Sequence, residues 1–118
     1  MSFDGLDIVA ALMDAHDRAD ELCADLKAAG AARAEAERAY RVGKRKGIVF
    51  EREHHGSPAS LTIDLVKGRE DIAELALRRD LAVSEYEATR EALLVKKKEI
   101  DTLRELYTRE WSASGQRG

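Results

Sequence analysis

Apolar and small residues recur along the first half of the chain with alternating gaps of three and four positions. From residue 7 to about residue 52 there is no proline, and one slot of the repeat is filled by Arg33. This heptad spacing predicts a long α-helix that packs along its length against another helix. The predicted seam contains Ile8, Leu12, Ala15, Ala19, Leu22, Leu26, Ala29, Ala36, Tyr40, Gly43, Gly47 and Phe50.

Two sequence features modify this first predicted helix. Asp4 is suited to cap its start, because a short acidic side chain can accept a hydrogen bond from the first exposed amides. Each glycine within a helix lowers its stability by about 1 kcal/mol relative to alanine. A bend or an early end between Gly43 and Gly47 therefore stays open at this point.

A second heptad pattern predicts another long helix over residues 70–111, followed by a frayed tail over residues 112–118. Arg79, Thr89 and Lys96 occupy polar slots in its seam. Acidic residues near its start and basic residues near its end suit the helix dipole. The apolar members of this seam are Ile72, Leu75, Ala82, Tyr86, Leu93, Ile100, Leu103 and Tyr107.

The clearest break in the chain lies between the two patterns, within a turn region over about residues 54–68. Gly56 is suited to the position after a helix end, Ser57 to an N-cap and Pro58 to the first helical position. They predict a short helix over residues 59–66, with Leu61, Leu65 and Ile63 turned inward. Gly68 is expected to end this helix with a positive φ.

These elements predict a single all-α domain: a long antiparallel helical hairpin of coiled-coil type with a short helix in the connection. A hairpin covers one stripe on each helix, whereas apolar residues such as Val9, Met13, Leu77 and Leu94 form second stripes. We therefore expect a homodimer that forms a four-helix bundle. A kinked monomer that covers its own stripes is the alternative.

The two polar residues Arg33 and Arg79 occupy seam positions, and two interpretations remain open for them. Their aliphatic stems can lie along apolar surface while the guanidinium group reaches water. Alternatively, they pair with carboxylates inside the bundle and fix its register, with Glu37, Asp80 and Glu85 as candidate acceptors.

Charge is unevenly distributed over the 118 residues, although the net charge is only −3. Residues 1–32 carry two basic and seven acidic side chains, whereas basic residues dominate residues 41–52. Such asymmetry indicates a local anion-binding surface, with a solvated helix face as the alternative. The candidate nucleic-acid-binding residues are Arg41, Lys44, Arg45, Lys46 and Arg52.

Candidate chemistry elsewhere is sparse. Cys23 is the only cysteine, has acidic neighbours, and is expected to fill the core rather than act as a nucleophile. His54 and His55 are adjacent, and metal-binding pairs on helices are usually spaced three or four residues apart, so a solvated turn is favoured over a metal site. We expect no catalytic residue, no metal and no cofactor, and hence no enzyme.

Neither membrane insertion nor export is expected from the sequence. No apolar stretch approaches the 18 residues that a membrane span needs, and residues 1–14 lack the features of a signal peptide. The expected location is the cytoplasm.

Several short segments, taken together, resemble a group of small helical proteins encoded by bacteriophages and prophages. The resemblance covers residues 34–111 and departs from the group's pattern at Ala59-Ser60, Val66-Lys67 and Val83-Ser84. The segments are AEAERAY at 34–40, the Gly56-x-Pro58 step, DLVKG at 64–68, RRDLA at 78–82, YEA at 86–88 and Glu110-Trp111.

Members of this group are often encoded near single-strand annealing and single-strand-binding proteins. The resemblance therefore implies a non-enzymatic accessory protein of phage DNA recombination or replication, located in the cytoplasm of a bacterial host. Its partner would be DNA or a phage recombination or single-strand-binding protein, contacted through the basic end of the hairpin. The alternative is a helical protein–protein adaptor or scaffold that does not bind nucleic acid.

Overall fold

Three α-helices account for almost all of residues 4–116, which are the residues described by the computed structural model of the protein. Helix α1 spans Gly5–His54, α2 spans Ala59–Lys67 and α3 spans Glu70–Gln116. No strand occurs within residues 4–116. The expected all-α class is confirmed, as is the order of a long, a short and a long helix.

Helix α1 begins and ends as local sequence chemistry predicts. At its start, an Asp4 carboxylate oxygen accepts a hydrogen bond from the Asp7 amide at 2.9 Å, so the expected cap is present. The helix runs through Gly43 and Gly47 without interruption, which excludes an early end there. Beyond its last residue, Gly56 has a φ of +57°, the left-handed conformation expected after a helix end.

The chain divides into two compact units, each built from parts of the long helices. The terminal unit combines the residues of α1 up to Lys27 with the residues of α3 from Ala88 onward. Its buried hydrophobic side chains are spaced by seven on each helix, as the heptad pattern predicts. They are Ile8, Ala15 and Leu22 on α1 and Leu93 and Ile100 on α3.

The turn unit spans Ala28–Glu87 and contains all of α2. Along α1, Gly30 lies against Tyr86, Gly43 against Leu75, and Gly47 against Val66. Later positions on α1 thus meet earlier positions in the rest of the unit, which is the antiparallel arrangement of a helical hairpin. A β-carbon on Gly47 would lie only 2.9 Å from a Val66 methyl, so glycine permits this close approach.

The start of α2 differs from the expected capping arrangement. Pro58 is the N-cap residue, with φ −57° and ψ 144°, rather than the first helical residue, and no side chain caps the helix. The expected role of Ser57 as a side-chain cap is therefore wrong. Instead, the Thr62 hydroxyl donates to the carbonyl oxygens of Ser57 and Pro58, at 3.2 and 2.8 Å.

The buried face of α2 also differs from the expected one. Thr62 and Val66 are buried, whereas Leu61, Leu65 and Ile63, which were expected to point inward, are 43–49% exposed. The hydrogen bonds of the Thr62 hydroxyl satisfy its polar group locally, so this residue can occupy the core beside Val66. Because α2 packs through its Thr62–Val66 face, the three large apolar side chains remain at the surface.

The end of α2 and the length of α3 also differ from the sequence-based expectations. Gly68 has φ −82° and ψ −8°, so the positive φ expected for it is wrong. Helix α3 begins two residues later and continues to Gln116, beyond the expected end near residue 111. The last two residues of the expected tail, 117 and 118, and residues 1–3 lie outside the described part of the chain.

Candidate nucleic-acid interface

The predicted basic residues all lie on the last third of α1, within the turn unit. With about 100° of rotation per helical residue, Arg41, Arg45 and Arg52 fall within an arc of about 40°. Lys44 lies about 60° to one side of Arg41, and Lys46 lies about 140° to the other side. The structure therefore brings three of the five candidates onto one narrow face, here called the arginine face (Arg41, Arg45 and Arg52).

The arginine face points away from the partner helices. Gly43 and Gly47, which contact side chains of α3 and α2, lie about 140–180° around α1 from the middle of this face. Arg41, Arg45 and Arg52 are all exposed, and the Arg41 side chain retains 77% of its accessible surface. The heptad pattern thus turns these guanidinium groups toward solvent, where a polyanion can reach them.

The five basic candidates differ in their local partners. Arg41 Nε lies 2.8 Å from a Glu37 carboxylate oxygen one turn earlier, and Lys44 Nζ lies 6.0 Å from the centre of the Tyr40 ring. Within residues 4–116, no carboxylate lies within ion-pair distance of Arg45, Lys46 or Arg52. An exposed ion pair of the Arg41 type contributes little stability, so a phosphate can displace Glu37 at small cost.

The aromatic residues near the basic segment are engaged by other side chains. The Tyr40 ring lies under Arg79, whose guanidinium carbon is 4.2 Å from the ring centre. Phe50 stacks on His54 with ring centres 4.2 Å apart, and the guanidinium carbon of Arg69 lies 5.5 Å from the Phe50 ring centre. Although Phe50 was placed in the seam, it is 43% exposed.

The two seam arginines, Arg33 and Arg79, differ in burial and in the side chains that they contact. Arg79 is partly buried, and its Nε lies 3.2 Å from an Asp80 carboxylate oxygen and 3.9 Å from a Glu37 carboxylate oxygen. Arg79 thus lies close to two of the expected acceptors. Arg33 is exposed, and its guanidinium carbon lies 5.0 Å from the Tyr86 ring centre. This position over an aromatic ring at the surface fits the interpretation in which the Arg33 stem lies along apolar surface and its guanidinium group reaches water.

The residues considered for nucleophilic or metal chemistry are all peripheral. Cys23 is exposed, so the expectation that it fills the core is wrong. His54 Nδ1 lies 3.1 Å from the Phe50 carbonyl oxygen, and His55 Nδ1 lies 3.0 Å from a Glu51 carboxylate oxygen. Across residues 4–116, no three side chains of histidine, cysteine, aspartate or glutamate come together as potential metal ligands.

An apolar groove in the terminal unit was not predicted. It is formed where the first turns of α1 meet the last turns of α3, and Leu6 and Trp111 on its walls are 82% and 71% exposed. Val9 belongs to the second apolar stripe that the sequence indicates, and Leu6, three residues earlier, continues this stripe along one wall of the groove. The groove is lined by Asp4, Gly5, Leu6, Val9, Tyr107, Glu110 and Trp111.

None of the three helices could cross a membrane, judged over residues 4–116 by length and apolar character. Comparison of the sequence and structure with protein-family models, with curated proteins and with solved structures gives no match.

Proposed function

We propose that this protein is a non-enzymatic accessory protein of DNA recombination or replication that binds nucleic acid through the arginine face. The observation that carries this proposal is the alignment of three exposed guanidinium groups on the side of α1 opposite its packed seam. Lys44 extends the positive surface on one side, whereas Lys46 lies about 100° around α1 from Arg45, the nearest member of the face. Each such cation can neutralise a phosphate and release a counterion, which drives sequence-independent binding.

The cellular setting of the proposal comes from the resemblance of residues 34–111 to helical bacteriophage and prophage proteins. Such proteins are often encoded beside single-strand annealing and single-strand-binding proteins. A basic helical protein in that setting would act on DNA, or on a nucleoprotein complex, in the cytoplasm of a bacterial host.

The proposal includes a homodimer that forms a four-helix bundle. In the described part of the chain, seven hydrophobic side chains are buried, whereas sixteen large hydrophobic side chains are at least 36% exposed. Covering exposed apolar surface is the main driving force of association, and a second copy offers matching stripes. Sedimentation equilibrium at micromolar concentration should give twice the monomer mass of 13.1 kDa, and a monomer throughout that range would refute the dimer.

A gel-shift experiment tests the proposed DNA binding. Wild-type protein should retard DNA at about 50 mM salt and lose most of its affinity at about 200 mM salt, because counterion release weakens as salt rises. Replacing Arg41, Arg45 and Arg52 by glutamine should abolish the shift. The matched control replaces Arg18, Arg78 and Arg90 by glutamine, which removes the same charge from exposed arginines on α3 and on the first part of α1.

A protein–protein adaptor is the second candidate function, and the exposed apolar groove of the terminal unit favours it. An acidic segment of α1 lies in the same unit and could attract a basic partner; it contains Asp14, Asp17, Asp20, Glu21 and Asp25. If wild-type protein retards neither single- nor double-stranded DNA at about 50 mM salt, the DNA proposal fails and the adaptor replaces it.

A further inference from the structure

We infer that the arginine face binds the phosphate backbone of double-stranded DNA, without base stacking and without preference for base sequence. This inference rests on the proposed DNA-binding function and specifies the form of nucleic acid that the same site takes. It follows from three properties of the turn unit: the rigid line of cations, the engagement of its aromatic rings, and the absence of side chains that read adenine.

The cations form a fixed line along one helix. Arg41 and Arg52 are eleven residues apart, which corresponds to about 16 Å along the helix axis. Duplex DNA presents one negative charge per about 1.7 Å of its axis in a stiff array, so cations carried in line by a helix can meet phosphates without ordering the ligand. A flexible single strand would have to be ordered along this line, at an entropic cost.

Proteins that bind single strands usually offset that cost by stacking bases on aromatic side chains. The turn unit contains three aromatic residues besides its histidines: Tyr40, Phe50 and Tyr86. Arg79 covers Tyr40, His54 stacks on Phe50, and Arg33 lies over Tyr86. Tyr40 and Phe50 also lie at least about 100° around α1 from Arg41, so a nucleotide on the arginine face cannot reach their rings.

Sequence readout in the major groove depends on specific hydrogen-bonding side chains. Asparagine and glutamine read adenine through paired hydrogen bonds. The chain contains no asparagine, and its one glutamine, Gln116, lies in the terminal unit. The exposed neighbours of Arg45 on the same side of α1 include Val42 and Val49, which carry no hydrogen-bonding group. Arginine can also read guanine, but within residues 4–116 no carboxylate partner orients the Arg45 or Arg52 guanidinium group for such a contact. The surface therefore favours contacts with phosphates over contacts with base edges.

Fluorescence anisotropy with a labelled 25-base-pair duplex, and with one of its strands alone, tests the inference. Duplex should bind at least fivefold more tightly than the single strand at about 50 mM salt. The slope of log affinity against log salt should be about −3 for each arginine face, because three phosphates are neutralised. A duplex of unrelated sequence should bind within twofold of the first.

Two variants separate this inference from the proposed function. Replacing the three arginines by glutamine should lower duplex affinity at least tenfold, whereas Phe50→Leu should change neither affinity by more than twofold. Circular dichroism would check that both variants keep the wild-type helix content. If single strand binds as tightly as duplex, or if Phe50→Leu weakens single-strand binding, the inference is overturned and DNA binding itself stands. If neither DNA form binds, both proposals fall.

Discussion

The guanidinium carbon of Arg79 on α3 lies 4.2 Å from the centre of the Tyr40 ring on α1. The opposite arrangement occurs nearby, where Arg33 on α1 lies 5.0 Å from the centre of the Tyr86 ring on α3. On each helix the arginine precedes the tyrosine by seven residues. The two cation–π contacts are therefore reciprocal, and each helix contributes one cation and one ring.

The Arg79–Tyr40 contact should stabilise the turn unit measurably. Arg79→Met and Tyr40→Leu should show a coupling free energy of about 0.5–1 kcal/mol in a double-mutant cycle, because removing either partner already removes the contact. Urea denaturation of the four proteins measures this coupling. Arg90→Met, at an exposed position of α3, is the control and should change the unfolding free energy by less than about 0.5 kcal/mol. A coupling of zero would contradict the prediction.

The same contact should not depend on pH in the neutral range. Partial desolvation lowers the pKa of Arg79, but hydrogen bonds and Coulomb attraction from Asp80 and Tyr40 together raise that pKa above its ordinary value. A raised pKa in the folded state contributes stability that is lost only as the pH rises through that value. The coupling free energy measured at pH 6 and pH 9 should therefore agree, and a difference above about 0.5 kcal/mol would implicate another titrating group.

Replacing the helix glycines Gly30 and Gly47 by alanine should change the stability of the protein in opposite directions. A β-carbon on Gly30 would meet Tyr86 at 3.5 Å, an ordinary contact, so Gly30→Ala should stabilise the protein by up to about 1 kcal/mol through helix propensity. A β-carbon on Gly47 would lie 2.9 Å from the fully buried Val66, whose branched side chain has little rotamer freedom. Gly47→Ala should therefore destabilise the protein, by up to about 2 kcal/mol after the propensity gain. Thermal melts of both variants would decide, and stabilisation by both would show that Val66 can move aside.

The side chain of Thr62 should contribute more to the stability of the connection between α1 and α3 than the side chain of Ser57. Thr62→Val keeps the shape of this buried side chain but removes its hydrogen bonds to the two carbonyl oxygens, at a cost of about 1 kcal/mol. Ser57→Ala should cost less than about 0.5 kcal/mol, because its side chain caps nothing. Thr102→Val is the control, since its hydroxyl donates to the Lys98 carbonyl oxygen at an exposed site. A larger loss of stability for Ser57→Ala than for Thr62→Val would indicate that the Ser57 side chain does cap α2.

The two glycines that flank the connection should differ in the same experiment. Gly56→Ala should cost about 1 kcal/mol, because φ of +57° brings a β-carbon close to the backbone. Gly68 has right-handed geometry and room for a β-carbon, so Gly68→Ala should leave stability unchanged or raise it slightly. Equal losses at both positions would contradict the assigned backbone conformations.

Much of the fold could be predicted because the long helices repeat one packing pattern. Ile8, Ala15 and Leu22 recur every seven residues and are all buried, so helix periodicity alone identifies this part of the core. The arginine face follows from the same periodicity, since a residue's angle around a helix fixes its distance from the seam. For these features, local geometry and tertiary packing agree.

The short helix α2 could not be oriented in this way. Hydrophobicity favours burial of Leu61 and Leu65, yet Thr62 is buried instead. A hydrogen bond from its hydroxyl to the carbonyl oxygen of Pro58 satisfies the polar group and makes this burial possible, which a ranking by hydrophobicity does not include. For Cys23, acidic neighbours argue against a reactive thiol but do not determine burial, and the residue lies exposed about 100° around α1 from the buried Leu22.

The reciprocal arginine–tyrosine contacts also oppose sliding of one helix along the other. If α1 and α3 were displaced by one heptad in one direction, Arg33 would face Arg79, and two cations would oppose each other. A displacement in the other direction would bring Tyr40 opposite Tyr86 and remove both cation–π contacts. The alternation of cation and ring therefore distinguishes the native alignment from its nearest competitors.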